Sequence, residues 1–180
     1  NDRQPAVFCY DGMVFQRLAP ETFSEDDLKY ANDHLLISSF LYGLLRPLDL
    51  VNKYRLEGDV VLSGHDGKSM FDFWKPLLTD WFIQKIKEDD GILVNLASDE
   101  MRNLFDWKRV KKEVTIVTPQ FRIEKNGKLK TIVIYTKMCR GAMARYILKE
   151  RITDIDLLKS FEYEGFELDE AEGDWLFTFR

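Results

Sequence analysis

The residues best suited to chemistry are arginines, tyrosines and lysines set in turns. Leu41-Tyr42-Gly43-Leu44-Leu45-Arg46-Pro47-Leu48-Asp49-Leu50, continuing to Tyr54-Arg55-Leu56-Glu57, is an apolar segment broken by Gly43 and stopped by Pro47. That pattern predicts a sharp turn from which Arg46 and Arg55 emerge beside Tyr42 and Tyr54. A guanidinium offers a planar fork of donors that fits phosphate, and a tyrosine ring adds a stacking face. The competing role is structural: Arg46 paired with Asp49, and Arg55 with Glu57, would staple an irregular loop.

A second constellation lies in Thr136-Lys137-Met138-Cys139-Arg140-Gly141-Ala142-Met143-Ala144-Arg145-Tyr146-Ile147. Read as a helix from Lys137 to Arg151, it puts Lys137 and Arg140 on one face, with Arg145 about 80° from Lys137. Gly141, Ala142 and Ala144 let another backbone or a ligand come close. A helix begun at Lys137 would add its partial positive charge and free N–H groups to those side chains as an anion site. The alternative is a solvated helix whose cations cover a sheet. Gly141 inside a helix costs about 1 kcal/mol relative to alanine, so it calls for a packing or functional reason.

A third stretch, Leu93-Val94-Asn95-Leu96-Ala97-Ser98-Asp99-Glu100, runs from strand to helix with Asn95 and Ser98 at the junction. Ser98 suits an N-cap, and both residues suit a polar site. No glycine-rich phosphate loop, nucleophile elbow or zinc spacing is present. His34 and His65 are read as structural and as a loop residue, so no metal site and no cofactor is expected. A carboxylate-only metal site has no support.

These residues sit in a chain whose net charge is −5. The average conceals a split: residues 102–151 hold 14 Lys/Arg against 4 Asp/Glu, whereas 152–180 hold 2 against 9. Such asymmetry is the footprint either of a surface that meets an anion or of basic and acidic segments packed together. Two distant cysteines, Cys9 and Cys139, exclude a disulfide scaffold and fit a cytoplasmic location. No apolar run reaches the ~20 residues of a membrane span. The chain starts without Met and runs straight into strand-like sequence, which reads as a missing N-terminal portion.

The positioning elements follow from pattern. Apolar runs Pro5–Tyr10 and Met13–Phe15 around Asp11-Gly12 predict a hairpin. Thr22 or Ser24 caps a helix opened by Glu25, Asp26 and Asp27. Residues 36–45 read as a buried strand or packed turn. A helix covers Met70–Lys87, either kinked at Pro76 or begun near Lys75. Its apolar face is Phe71, Trp74, Leu77, Leu78, Trp81, Phe82 and Ile86. Ile92–Leu96 reads as a strand and Asp99–Phe105 as a short helix. Val114–Ile123 and Leu129–Tyr135 form a long hairpin about Lys125-Asn126-Gly127. Ile155–Leu158 is helical or turn-like, and Asp174–Arg180 a last strand. The irregular alternation predicts a single α+β domain with a mixed or antiparallel sheet and packed helices.

Together these motifs resemble the YaaA family of bacterial peroxide stress proteins. The matching pieces are Tyr42-Gly43-Leu44-Leu45-Arg46-Pro47-Leu48-Asp49 with Tyr54-Arg55-Leu56-Glu57, then Asn95-Leu96-Ala97-Ser98, then Lys137 with Arg140-Gly141-Ala142-Met143-Ala144-Arg145-Tyr146. The resemblance runs over nearly the whole chain. It implies a cytoplasmic protein that limits peroxide damage and binds DNA through a basic cleft, with a helix-hairpin-helix-like element around Leu41–Leu45. Arg46, Arg55, Lys137, Arg140 and Arg145 would line that cleft. The chain departs from the family pattern at Phe40, where the family has glycine, and it lacks an N-terminal Ser-Pro-Ala-Lys-Thr-like segment.

The expected partner is therefore duplex DNA, held mainly by its phosphates, without a membrane. Lys108, Lys111, Lys112, Lys125, Lys128 and Lys130 would supply background field. The alternative is an enzyme acting on a nucleotide or on a base in nucleic acid, with Tyr42, Asn95, Ser98 and Lys137 around the reacting group. A third reading is an interaction protein whose basic face docks the acidic tail.

Overall fold

The computed structural model describes residues 3–180. Asn1 and Asp2, where the missing N-terminal portion was inferred, lie outside the described residues. In chain order the elements begin β1 (Gln4–Pro5), α1 (Ala6–Cys9), α2 (Met13–Leu18), α3 (Glu25–His34), β2 (Ile37–Ser39), β3 (Gly43–Leu45) and β4 (Leu50–Val51). There follow α4 (Met70–Asp89), β5 (Ile92–Val94), α5 (Trp107–Glu113), β6 (Thr115–Val117), β7 (Gln120–Lys125) and β8 (Lys128–Lys130). Helix α6 (Val133–Lys149) and strands β9 (Glu167–Leu168) and β10 (Leu176–Phe179) complete the chain. The architecture is α+β.

Two compact units emerge: Leu36–Val117 with the chain as far as Ala6, and Val7–Leu35 with Thr118–Arg180. In the first, α4 is the organising element. Ser69 caps it by accepting from the Asp72 N–H at 3.2 Å, and the helix continues through Pro76 from a start at Met70. Met70, Phe82, Ile83 and Ile86 pack with Phe40, Leu104, Phe105 and Val110. Each such burial is worth about 1.5–3 kcal/mol. Leu77 and Trp81, placed on the apolar face by sequence, are instead exposed at 58% and 46%. Helical spacing makes the stripe wider than the neighbours available to cover it.

In the second unit the sheet runs β8-β7-β10-β9, with β7 and β10 parallel and the outer pairs antiparallel. It is mixed, as expected. Asn126 and Gly127 both take positive φ, 55° and 70°, as a tight right-twisting turn requires. The second arm of that hairpin stops at Lys130. Val133 to Tyr135, read as strand, form the first turn of α6.

The predicted N-terminal hairpin is also absent, replaced by α1 and α2. Gly12 adopts φ −63° as the N-cap of α2, so Asp11-Gly12 does not make the left-handed turn that a hairpin needs. The flanking apolar runs are too short for periodicity to separate strand from helix. The element around Leu41–Leu45 is likewise no helix-hairpin-helix. It is the turn of the antiparallel pair β2–β3, with Ile37 opposite Leu45 and Ser39 opposite Gly43. Buried on alternate residues, these segments satisfy a strand pattern.

Candidate functional site

The β2–β3 turn is held by a polar network. Ser39 is fully buried, and its Oγ accepts from the Tyr42 N–H at 2.9 Å and shares a 2.5 Å hydrogen bond with the Tyr54 hydroxyl. The Tyr42 hydroxyl accepts from the Asn52 N–H at 3.2 Å. The two tyrosine rings meet edge to face at 5.5 Å, a contact the sequence did not indicate. Gly43, at φ +78°, lies against the Trp74 ring, and a Cβ there would sit 3.0 Å from it. Trp74 in turn donates its indole N–H to the Phe40 carbonyl at 2.7 Å. Phe40 itself is buried against Phe71, which explains a large side chain at this position.

Arg46 and Arg55 differ. The Arg46 N–H donates to Asp49 Oδ2 at 2.7 Å and its guanidinium approaches Oδ1 at 3.5 Å. The stapling role foreseen for Arg46 is thus present, although half of the side chain stays exposed. Arg55 is exposed, and among the described residues neither Glu57 nor any other carboxylate pairs with it.

Asn95 and Ser98 lie just beyond the carboxyl end of β5, which pairs in parallel with β6. The Asn95 N–H donates to the Val117 carbonyl at 2.7 Å, and its Oδ1 accepts from the Ala97 N–H at 3.3 Å. Its Nδ2 is buried without a hydrogen-bond partner. Ser98 stands at the N-cap position of the 3-10 turn Asp99–Leu104, but its side chain makes no capping bond.

The remaining candidates belong to the second unit, on α6. Because that helix begins at Val133, Lys137 and Arg140 stand beyond its first turn and add nothing to its free N–H groups. Lys137 is exposed and Arg140 half-buried. Arg145 is committed inward. Its Nη1 donates to the carbonyls of Leu18 at 3.0 Å and Ala19 at 3.2 Å and to Thr22 Oγ1 at 2.7 Å, and the guanidinium lies over Phe23. Leu18 is the last residue of α2 and Ala19 its C-cap, so Arg145 caps that helix.

Sequence reasoning missed Asp27 and its partners. Its carboxylate accepts from Lys149 at 2.7 Å, from Arg151 at 2.8 Å and from the Ser24 N–H at 3.0 Å. Lys149 and the Ser24 amide hold its pKa well below the usual carboxylate range, and Arg151 adds to this. The one visible signal was an aspartate at the third position of a capping box. Among the described residues no group of three or more His, Cys, Asp or Glu could hold a metal ion. Nor is any described helix long and apolar enough to cross a membrane.

The family model described as peroxide stress protein YaaA matches residues 1–172. A UPF0246 protein of Bacteroides fragilis is 59% identical over 170 residues, covering 94% of this chain and 66% of the relative. One from Bacteroides thetaiotaomicron is 56% identical with the same coverage. One from Colwellia psychrerythraea is 40% identical over 99% of this chain and 70% of its own length. The chain spans just under two thirds of the length of the Bacteroides relatives it matches.

Proposed function

The chain belongs to the YaaA family of peroxide stress proteins, and from that premise we propose that it acts in the cytoplasmic peroxide stress response by binding DNA, its exposed cations meeting the phosphates. What supports the reading is a set of basic side chains left uncommitted by the fold. Arg55, Lys125, Lys128, Lys130 and Lys137 are exposed, and among the described residues none has a carboxylate partner. A surface cation without a carboxylate partner is available to phosphate, and neutralising phosphate releases condensed counterions. Arg145 leaves the proposed contact set, because its donors are spent on α2.

Fluorescence anisotropy with a labelled duplex, on the full-length polypeptide between roughly 50 and 200 mM salt, tests this. Affinity should fall with a log–log slope of about −0.9 per neutralised phosphate, and Arg55→Ala with Lys137→Ala should flatten the slope by about 1.8. Absence of duplex binding at low salt would sink the proposal.

A second reading, an enzyme acting on a nucleotide or a base, is favoured by Asn95, whose buried amide Nδ2 lacks a partner. Incubation with nucleotides and damaged oligomers, followed by mass spectrometry, tests it. Unchanged substrates across the panel would count against it.

Peroxide chemistry at Cys139 is disfavoured in either case. The residue is fully buried, and burial, reinforced by Glu164, pushes its thiol up to about 12. The thiolate is the reactive form. A Cys9→Ser chain should therefore resist thiol reagents at pH 8 until denatured; prompt native labelling would contradict this.

A further inference from the structure

One face of the second unit's sheet carries an arrangement that folding does not account for. On β7 the residues Phe121, Ile123 and Lys125 share a face, since alternate residues of a strand point the same way. The register extends that face across the sheet: Phe121 stands beside Phe177, Ile123 between Lys130 and Phe179, and Lys125 opposite Lys128. At its inner end the face is covered, with Phe121 and Phe177 buried and ringed by Phe161. Its outer end is open: Phe179 is 45% exposed, with Lys125, Lys128 and Lys130 exposed beside it.

The first turn of α6 extends the open end. Tyr135 is 43% exposed and lies 6.3 Å from the buried Phe166, which lies 5.8 Å from Phe179. The Phe179 ring is also held in place. Gly165, at φ +86°, lets it rest where a Cβ would come within 2.7 Å. Two half-exposed rings, three lysines without carboxylate partners and a single buried ring between them form a mixed aromatic and cationic surface. Glu164, in the turn beside Gly165, is an acidic residue at its border.

We infer that this surface binds single-stranded nucleic acid, with unstacked bases lying on Tyr135 and Phe179 and the backbone phosphates meeting Lys125, Lys128 and Lys130. Duplex DNA offers phosphates but keeps its base faces stacked on one another, so exposed rings contribute to binding only where bases are free. Stacking on an aromatic side chain is tolerant of sequence because every base has a π-face. This inference rests on the nucleic-acid reading proposed above and adds base stacking to the phosphate contacts of lysines 125, 128 and 130.

The test uses the full-length polypeptide, a labelled oligo-dT of about 20 nucleotides and a duplex of equal length, read by anisotropy at low salt. Tyr135→Leu and Phe179→Leu keep apolar bulk and remove the π-face, so they spare the fold that Phe179→Ala would endanger. Each should weaken oligo-dT binding about tenfold while leaving duplex affinity within about twofold. Lys130→Glu should weaken both.

Oligo-dT binding that survives both leucine variants overturns the inference and leaves the duplex proposal standing. Binding of duplex alone has the same meaning. Failure of both probes overturns the two proposals together. Hydroxyl-radical footprinting that finds Tyr135 and Phe179 protected without DNA would show another stretch of polypeptide lying on the face, and would also overturn it. So would a dimer that the leucine variants dissociate.

Discussion

Replacing Gly141 by alanine is expected to destabilise the second unit by about 3 kcal/mol, although alanine is the better helix former. The reason is the closeness of two helices. A Cβ at Gly141 would stand 2.1 Å from the Val14 carbonyl oxygen and 2.8 Å from Arg17 Cβ, where α2 crosses α6. The nearest atom is backbone and cannot rotate aside, so α2 must move away as a whole. That movement would pull the α2 terminus from Arg145, whose three donated hydrogen bonds depend on the same crossing. About 1 kcal/mol of intrinsic helix preference offsets only part of the loss. Thermal unfolding should show a midpoint lower by roughly 6–12 °C for a chain of this size. An unchanged or higher midpoint would show that the two helices do not meet at Gly141.

Asp27→Asn is expected to lower the midpoint by a comparable amount, and its signature is a changed response to acid. The wild-type carboxylate receives Lys149, Arg151 and the Ser24 amide while its side chain is only 9% exposed. Asparagine keeps the shape but leaves two cations facing a neutral amide, and removing one side of a buried ion pair costs more than the pair itself contributes. The folded-state pKa lies below the unfolded one. Asp27 therefore stabilises the protein fully above the unfolded value of about 4, and that contribution disappears as pH falls through the folded value. Between pH 7 and pH 3 the wild type should lose more stability than Asp27→Asn, so the gap between the two melting curves should narrow. Parallel loss in both proteins would show that Asp27 is not an acid-sensitive anchor. Arg151 carries a further constraint, since it sits at φ 53° and donates to the Leu148 carbonyl at the end of α6.

The candidate residues divide in an instructive way. Arg46 and Arg145 read alike in sequence, each an arginine beside apolar residues in a motif. Arg46 meets a carboxylate three residues away, a contact that local spacing foretells. Arg145 meets carbonyls 126 and 127 residues earlier, and nothing near it in sequence indicates this. Asp27 is similar, recognisable as part of a capping box but not as the receiver of two cations more than 120 residues away. The uncommitted cations Arg55 and Lys137 were named from sequence, yet only the fold separates them from the committed ones.

Local chemistry was legible from residue order alone. Ser24 and Asp27 announce the start of α3, Asn126-Gly127 announces the β7–β8 turn, and the apolar period over 70–87 announces α4. Each signal acts within a few residues, where side chain and backbone compete for the same hydrogen bonds. The short helix α5 and the helical N-terminal segment escaped, since a helix of seven or fewer residues completes too few turns to display a period. Tertiary structure alone decided the parallel pairing of β7 with β10, because strands far apart in sequence are matched by the fit of their buried faces. It also decided which cations remained. A charge on the chain is a matter of composition, whereas its availability to a ligand depends on which distant carboxylates and carbonyls the fold brings to it.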